Sequence, residues 1–357
     1  MRFLLLFLVV VSFFNCGTDT EKVIQHNFSE VIVKPVFSDS VSIRAIEVTN
    51  DLLMFAGNNG MYGTFDIDNT LDIKGKKISV LDYEGKKIHF RAIADTETDF
   101  FVLSIASPAL LYKINKVTEE TKLVYKEVHE KVFYDAIAFW NNKEGIAMGD
   151  PTDGCLSMII TRDGGETWDK VSCDKLPKTI EGEAAFAASN GNISIVGCKT
   201  WVVSGGMKSR VFYSADKGNS WSVSETPIIQ GTATTGTYSI DFYDEKNGVI
   251  YGGDYTKPSE NKGNKAITTD GGVTWNLVAD GVGADYKSCI RYVPNSGGLE
   301  MIATGFTGIS ISNDAGNTWK EISKEGFYTM RFINDSTAVA AGKNRIATLN
   351  FKKQKSK

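Results

Sequence analysis

Histidine and proline are scarce in this chain, and apart from a short lysine-rich stretch at 352–355 it has no block of basic residues. Of its 357 residues, 3 are histidine, 7 are proline and 5 are cysteine. The histidines are scattered, and no His-x-x-x-His or Cys-x-x-Cys spacing occurs, so we expect no metal site. The 39 basic and 43 acidic residues give a net charge of −4, which provides no electrostatic footprint for nucleic acid. We therefore expect neither a metal nor a nucleic-acid partner.

Long apolar runs and helical periodicity are also missing from most of the chain. Beyond the first 16 residues there is no run of 18 apolar residues, and no segment sustains an i, i+3, i+4 apolar period. The 42% apolar content is that of an ordinary globular protein with a large core. A dinucleotide-binding enzyme is not indicated, because Gly281-Val282-Gly283 lacks the third glycine and the helix of that motif. We expect an all-β fold without cofactors.

The N-terminus has the pattern of an export signal. Arg2 precedes an apolar run from Phe3 to Val11, which is too short to span a bilayer. Cys16 closes the segment and resembles the lipidated cysteine of a bacterial lipoprotein. We expect a signal peptide over 1–15, a lipid-anchored polar linker over 16–27, and a protein attached to a membrane of the bacterial envelope. A plain secreted protein is the alternative.

Export to an oxidising compartment permits disulfides, and two cysteines are placed to form one. Cys155 and Cys173 each lie nine positions from Gly164, the middle of an apparent hairpin turn. On antiparallel strands they would face each other, so we predict a cross-strand disulfide. Cys198 and Cys289 lie in apolar, strand-like runs and are expected to be small buried residues.

One eight-residue pattern, Ser/Thr-x-Asp-x-Gly-x-Ser/Thr-Trp, occurs four times. Its aspartates and tryptophans are Asp163 with Trp168, Asp216 with Trp221, Asp270 with Trp275, and Asp314 with Trp319. Successive aspartates are 53, 54 and 44 residues apart, which is the scale of a four-stranded propeller blade. In such a turn, Asp accepts backbone N–H bonds, Gly supplies positive φ, and Trp returns apolar surface to the core. We predict a structural role for these four box turns.

Strand-like runs define the predicted units of the fold. Units open near residues 42, 89, 134, 183, 238, 288 and 328. This spacing predicts a seven-bladed β-propeller over 28–351, followed by a basic tail over 352–357. The last unit offers only three strands, so we expect residues 30–37 to supply the fourth, which closes the ring and removes an exposed sheet edge.

The box turns resemble the Asp box, or BNR repeat, of sialidases, sortilin-type receptors and the photosystem II stability/assembly factor family. Beyond these turns, the chain resembles a Bacteroidota-type branch of the assembly-factor family over nearly all of the mature protein. Residues 139–151, 181–189, 209–214 and 252–258 carry this resemblance. It implies a seven-bladed propeller that binds precursor proteins without catalysis. Relatives in this branch are often labelled oxidoreductases, which no nucleotide-binding motif in the chain supports.

A sialidase-like glycoside hydrolase acting on an anionic glycan is the rival function. It would use clustered arginines, paired acidic groups and a tyrosine near the ring axis. The Arg-Ile-Pro motif of that family is missing, since Arg44 lies between Ile43 and Ala45. We therefore expect a monomeric, non-catalytic module that recognises a protein or peptide partner.

The first strand of each predicted blade should line the central channel, and these strands carry charged residues. They are Arg44, Arg91, Asp135, Glu183, Asp241, Arg291 and Arg331. Two interpretations are open. The arginines can form a positive mouth for an anionic peptide terminus or carboxylated ligand, or the carboxylates can neutralise them across a watery channel. Loops at 150–154, 205–208 and 254–264 are a second candidate surface.

Overall fold

The chain folds almost entirely into β-strands. The structure, a computed structural model, describes residues 23–49 and 51–353. Its one helical element in that range is a 3-10 turn over Cys173–Lys175. No helix among the described residues has the length and apolarity needed to cross a membrane. The predicted signal peptide, Cys16 and the end of the basic tail lie outside the described residues.

Thirty strands, numbered in chain order, make up the described part of the fold. The first half of the chain contains β1 (Phe28–Val48), β2 (Leu52–Gly57), β3 (Met61–Ile67), β4 (Ile73–Val80), β5 (Asp82–Tyr83), β6 (Lys86–Lys87), β7 (Phe90–Asp95), β8 (Asp99–Ser104), β9 (Ala109–Asn115), β10 (Thr121–Glu127), β11 (Tyr134–Phe139), β12 (Gly145–Gly149), β13 (Ser157–Thr161) and β14 (Asp169–Lys170). The second half contains β15 (Glu183–Ala184), β16 (Ile193–Val196), β17 (Lys199–Val203), β18 (Gly205–Gly206), β19 (Arg210–Ser214), β20 (Ser222–Glu225), β21 (Thr235–Phe242), β22 (Gly248–Asp254), β23 (Lys265–Thr268), β24 (Asn276–Leu277), β25 (Cys289–Tyr292), β26 (Met301–Gly305), β27 (Gly308–Ser312), β28 (Lys320–Ser323), β29 (Thr329–Phe332) and β30 (Thr337–Lys353).

Six antiparallel sheets of four or six strands form a ring, which confirms the predicted all-β propeller. Four sheets have four strands each: β7 to β10, β11 to β14, β16-β17-β19-β20, and β25 to β28. A fifth has the order β15-β18-β21-β22-β23-β24. The sixth, here called the closure sheet, has the order β29-β30-β1-β2-β3-β4, and β5 with β6 forms a separate ribbon.

The predicted number of seven blades is wrong, because the first and last predicted units share one sheet. β1 runs without a break through the closure sheet, and its first half pairs with β30 while its second half pairs with β2. The closure sheet therefore contributes two strands, β29 and β1, to the inner wall. The other inner strands are β7, β11, β16, β21 and β25, each lying beside the next around the ring.

The N-terminal strand pairs with the end of the chain, as predicted. Val31 lies opposite Phe351, and Phe37 lies opposite Ile346. β30 folds back on itself at Asn344, whose φ is 63°, so that the Phe351 N–H donates to the Ser336 carbonyl at 2.9 Å. The first and last strands of the described residues thus hydrogen-bond within one sheet, which leaves no free edge between them.

The core lies between the faces of neighbouring sheets. Every residue of β8, β12, β13, β26 and β27 is buried. Strands that are covered on both faces read as continuous apolar runs, because neither face alternates with solvent. Between two neighbouring sheets, the rings of Phe101, Phe139 and Trp168 pack against one another, and Phe101 and Phe139 are stacked with their centres 4.7 Å apart.

Each of the four box turns lies between the last two strands of its sheet. In one of them, Asp270 accepts hydrogen bonds from the Thr274 N–H at 3.0 Å and the Thr274 hydroxyl at 2.6 Å. These bonds hold the pKa of Asp270 at about 2. The Trp275 ring is buried, and its Nε1–H donates to the Gly272 carbonyl at 3.2 Å. The same carboxylate bonds recur at Asp163, Asp216 and Asp314.

An irregular segment between β15 and β16 enters the ring and ties its inner strands together. The Asn190 side chain donates to the Ile93 carbonyl at 2.7 Å and accepts from the Ile137 N–H at 3.0 Å. The Thr329 hydroxyl donates to the Ser189 carbonyl at 2.8 Å. These contacts join β7, β11 and β29, which belong to three different sheets. The segment closes the channel instead of lining it.

Replacing Asn190 with alanine should lower the free energy of unfolding by about 3 kcal/mol, because the buried Ile93 carbonyl and the buried Ile137 N–H would each lose a hydrogen-bond partner. Asn192 provides a matched control, because it is fully buried and neither amide atom has a hydrogen-bond partner among the described residues. We expect Asn192→Ala to change stability by less than about 1 kcal/mol. Urea unfolding followed by tryptophan fluorescence measures both. Equal losses for the two variants would contradict the assigned role of Asn190.

Candidate functional site

The charged residues predicted to line the channel fall into two groups. Arg331 Nη2 lies 3.1 Å from Glu47 Oε1, and Arg291 Nη1 lies 3.7 Å from Asp241 Oδ1. Although burial opposes it, Glu47 raises the pKa of Arg331. Burial raises the pKa of Asp241, and Arg291 counters that effect. For these two arginines, the structure favours neutralisation over ligand binding.

Glu183 does not line the channel, so that prediction is wrong. The inner strand of its region is β16, which begins ten residues later, at Ile193. Glu183 is buried and forms a two-pronged pair with Arg210, whose Nε donates to Glu183 Oε1 at 3.0 Å and whose Nη2 contacts Oε2. The Ser204 hydroxyl also donates to Oε1 at 2.6 Å. All of its contacts are internal, which indicates a structural pair.

Arg44 and Arg91 lie in a cleft of about 380 Å³ at the starts of the inner strands. We call this cleft the aromatic cup. Its wall combines the two arginines and Asp150 with seven rings, those of Phe133, Phe186, Tyr238, Tyr255, Tyr286, Phe306 and Tyr328. The backbone of 184–188, which leads into the channel-closing segment, forms one side. The cup is therefore a closed-bottomed depression and not an open pore.

The two arginines of the cup have no carboxylate partner. No acidic oxygen in the described residues lies within 4.0 Å of either guanidinium. Arg44 lies 4.1 Å from the centre of the Tyr328 ring, and Arg91 lies 6.0 Å from that of Phe133. Arg44 Nε is buried without a hydrogen-bond partner among the described residues. Burial and then Arg44 lower the pKa of Arg91, as expected for neighbouring like charges.

One carboxyl group faces the cup, and a second lies behind it. Asp150 lines the cleft and accepts the Ala185 N–H at 2.7 Å, and burial raises its pKa to about 6. Asp135 is 0% exposed, and neither of its oxygens meets a donor at bonding geometry within the described residues. Burial and then Asp150 raise the pKa of Asp135. Asp135 therefore does not line the cleft, contrary to the prediction, and Asp150 lines it instead.

The aromatic side of the cup is a chain of touching rings. Phe186 stacks on Tyr238 at 4.0 Å, Tyr238 meets Tyr286 edge-on at 5.0 Å, and Tyr286 contacts Phe306 at 5.3 Å. Tyr238 and Tyr286 are buried and Phe186 is partly buried, whereas Tyr255 and Phe306 are 46% and 45% exposed at the rim. Sequence reasoning missed this group. A signal was present, since Phe133 and Tyr328 each directly precede an inner strand.

Four cysteines lie in the described part of the chain. Cys155 and Cys173, the pair predicted from spacing, are joined by a disulfide with Cα atoms 5.6 Å apart. Cys155 precedes β13, and Cys173 begins the 3-10 turn, so the bond lies just beyond the paired strands. Cys289 is buried, but Cys198 is exposed, contrary to the prediction. No cluster of three or more metal-ligating side chains occurs in the described residues.

Comparison with known proteins supports the architecture. No protein-family model and no curated protein sequence matches this chain. The structure of YCF48 bound to D1 peptide has a TM-score of 0.61 at 12% identity, covering 94% of this chain and 99% of that one. YCF48 from Cyanidioschyzon merolae gives 0.58 at 12%, covering 90% and 99%. The RRP9 WD40 repeats give 0.61 at 11%, covering 92% and 99%. At these identities, the likeness shows a β-propeller fold and nothing finer.

Proposed function

We propose that this propeller is a non-catalytic binding module that holds the acidic end of a protein or peptide partner in the aromatic cup. One observation carries the proposal: Arg44 and Arg91 line one cleft with no acidic oxygen of the described residues within 4.0 Å of either guanidinium, whereas Arg291 and Arg331 are paired. Adjacent guanidinium groups suit a carboxylate, which each can bind through two hydrogen bonds. A structure of similar fold, YCF48, contains a bound D1 peptide.

The location of the module is part of the same proposal. The export signal and Cys16 support a lipid-anchored protein of the bacterial envelope, and the Cys155–Cys173 disulfide suits an oxidising compartment. Membrane fractionation of Cys16→Ser tests the anchor. The variant should leave the membrane fraction, and its full retention there would refute the lipid anchor.

Site-specific crosslinking tests binding at the cup directly. A benzophenone amino acid at position 306, on the rim of the cup, should form an adduct with the partner in intact envelopes. That adduct should disappear when Arg44→Gln and Arg91→Gln are added. Val117, which is 84% exposed and does not line the cup, is the control position. An adduct at position 306 that survives loss of both arginines would count against the proposal.

A sialidase-like hydrolase is the second candidate, and one observation favours it. Asp150 has a pKa of about 6, as a general acid requires, and it faces two arginines and several tyrosines. Glycosidases generally need two carboxyl groups on either side of the scissile bond, and Asp135 is buried away from the cleft. We therefore expect no turnover of a methylumbelliferyl sialoside. Turnover that is lost in Asp150→Asn would establish the hydrolase instead.

Ligand binding should weaken as pH rises through about 6, the pKa of Asp150. Below that pH the carboxyl is neutral; above it, a negative charge shares the cup with the ligand carboxylate, and the two repel. Between pH 5 and pH 8 we expect affinity for an acidic-ended peptide to fall about fivefold, equivalent to about 1 kcal/mol. Asp150→Asn keeps the acceptor for the Ala185 N–H and should flatten the dependence. Fluorescence anisotropy measures the affinity at each pH. A pH dependence that is unchanged in Asp150→Asn would exclude Asp150 as the group whose ionisation weakens binding.

A further inference from the structure

The aromatic cup has two chemically different halves. Arg44 and Arg91 come from the closure sheet and β7, whereas Tyr238, Tyr286 and Phe306 come from the opposite part of the ring. The two halves line the same cleft of about 380 Å³. Burial raises the pKa of Tyr286 above its usual range, and the positive charge of Arg44 opposes that effect. A ligand in the cup therefore meets guanidinium groups and aromatic faces at once.

The rim of the aromatic half has apolar surface that no described residue covers. Tyr255 and Phe306 lie at this edge, each in contact with a buried ring, Tyr238 for the first and Tyr286 for the second. Aromatic rings gain most from offset or edge-to-face contact with another flat group. A partner that places an apolar side chain between Tyr255 and Phe306 would bury both.

The size of the cup limits the occupant. A volume of about 380 Å³ is at the low end of the roughly 300–1,000 Å³ typical of small-molecule sites. The segment between β15 and β16 bridges inner strands through Ser189 and Asn190, so it stands in the way of a chain threading through the ring. One end of a peptide fits this shape better than a continuous extended segment does.

The combination of charge and rings discriminates among acidic groups. In an aspartate or glutamate side chain, or a phosphorylated residue, the anion is the tip and no apolar group lies beyond it. At a free C-terminus, the carboxylate and the last side chain share one Cα atom. This arrangement places an apolar group directly beside the anion, which matches the two halves of the cup.

We infer that the aromatic cup recognises a free peptide C-terminus whose last residue is aromatic or large and apolar. Arg44 and Arg91 bind the terminal carboxylate, and the rings of Tyr238, Tyr255 and Phe306 hold the last side chain. This inference rests on the proposed function and assigns its ligand specificity.

Six labelled peptides test the inference, each a fluorescein-Gly-Ser-Gly-Ser-X chain with X as phenylalanine, glycine or aspartate, in acid or amide form. Anisotropy with the full chain should show the phenylalanine acid binding at least tenfold more tightly than the glycine acid, the aspartate acid and its own amide. The double variant Tyr255→Ser, Phe306→Ser should reduce the phenylalanine acid to the affinity of the glycine acid. Val282→Ser, at a 65% exposed position outside the cup, is the control and should change nothing.

The outcomes separate this inference from the proposed function. Equal binding of the phenylalanine and glycine acids, with both lost in Arg44→Gln, would overturn the side-chain specificity and leave the binding module standing. Tight binding of the phenylalanine amide, or of the aspartate amide, would overturn recognition of the free C-terminus. If no free-acid peptide binds, the inference fails, and the crosslink at position 306 decides the proposed function by itself.

Discussion

A chain that lacks residues 28–38 is expected not to fold cooperatively. This segment is the first half of β1 in the closure sheet, and it hydrogen-bonds to β30 along most of its length. Its loss would expose a long edge of β30 and remove Phe28 from a core that includes Phe351, Met330 and Ile302. Because an interrupted ring loses contacts on both sides of the gap, we expect the whole propeller to lose its cooperative melt.

Calorimetry and near-ultraviolet circular dichroism measure this effect, and two point variants refine it. Phe28 is buried against Phe351, with ring centres 5.7 Å apart, so Phe28→Ala should cost about 3 to 4 kcal/mol. Ile32 lies on the same strand but is 48% exposed, and Ile32→Ala should cost less than about 1 kcal/mol. A truncated chain that melts like the full chain would show that the strand is dispensable for closure.

Replacing both Arg44 and Arg91 with glutamine is expected to abolish tight binding of an acidic-ended peptide. A hydrogen bond to a charged group contributes about 1.5–3 kcal/mol, so losing two such interactions should weaken binding by at least about 100-fold. Thermal stability should not fall, since neither guanidinium has a carboxylate partner to lose in the described residues. Removing two like charges from one cleft should leave stability unchanged or slightly raised.

Titration calorimetry on matched variants distinguishes the loss of the two binding arginines from a general effect of lost positive charge. Arg345 does not line the cup; it bonds to Glu325 at 2.7 Å and stacks on Phe327. Arg345→Gln removes one positive charge outside the cup and should leave affinity within twofold of the unchanged chain. If the cup double variant also binds as well as the unchanged chain, these arginines are not the site.

The architecture could be predicted mainly where the sequence carried local signals. The box turns specify tight corners through short-range bonds, such as those between Asp270 and Thr274, and these are visible in eight residues. The pairing of residues 30–37 with the last unit followed from counting strands. The number of sheets could not be predicted, because it depends on β1 remaining extended between its two partners.

The site was predicted in part, and the errors have a common cause. Arg44 and Arg91 were identified by their place on inner strands, but nothing local shows that Glu47 reaches Arg331 while no carboxylate reaches Arg44. The predicted position of Glu183 was wrong because a long irregular segment separates its strand, β15, from the inner strand β16. Such contacts join residues that are distant in sequence, and their geometry is set only when the ring closes.

The aromatic half of the cup illustrates the same limit. Phe186, Tyr238, Tyr286 and Phe306 come from four separate segments, and no spacing between them is periodic. In the sequence each ring has the appearance of an ordinary core residue beside a strand. Their common orientation toward one cleft arises because inner strands begin at the same end of the ring.

A crystal structure of this chain with the peptide Gly-Ser-Gly-Ser-Phe tests the central claim most directly. The account predicts that the terminal carboxylate lies about 2.8 Å from the guanidinium nitrogens of both Arg44 and Arg91, with the phenylalanine ring between Tyr255 and Phe306. A peptide seated on the outer rim, or a carboxylate of the chain itself bridging Arg44 and Arg91, would contradict it.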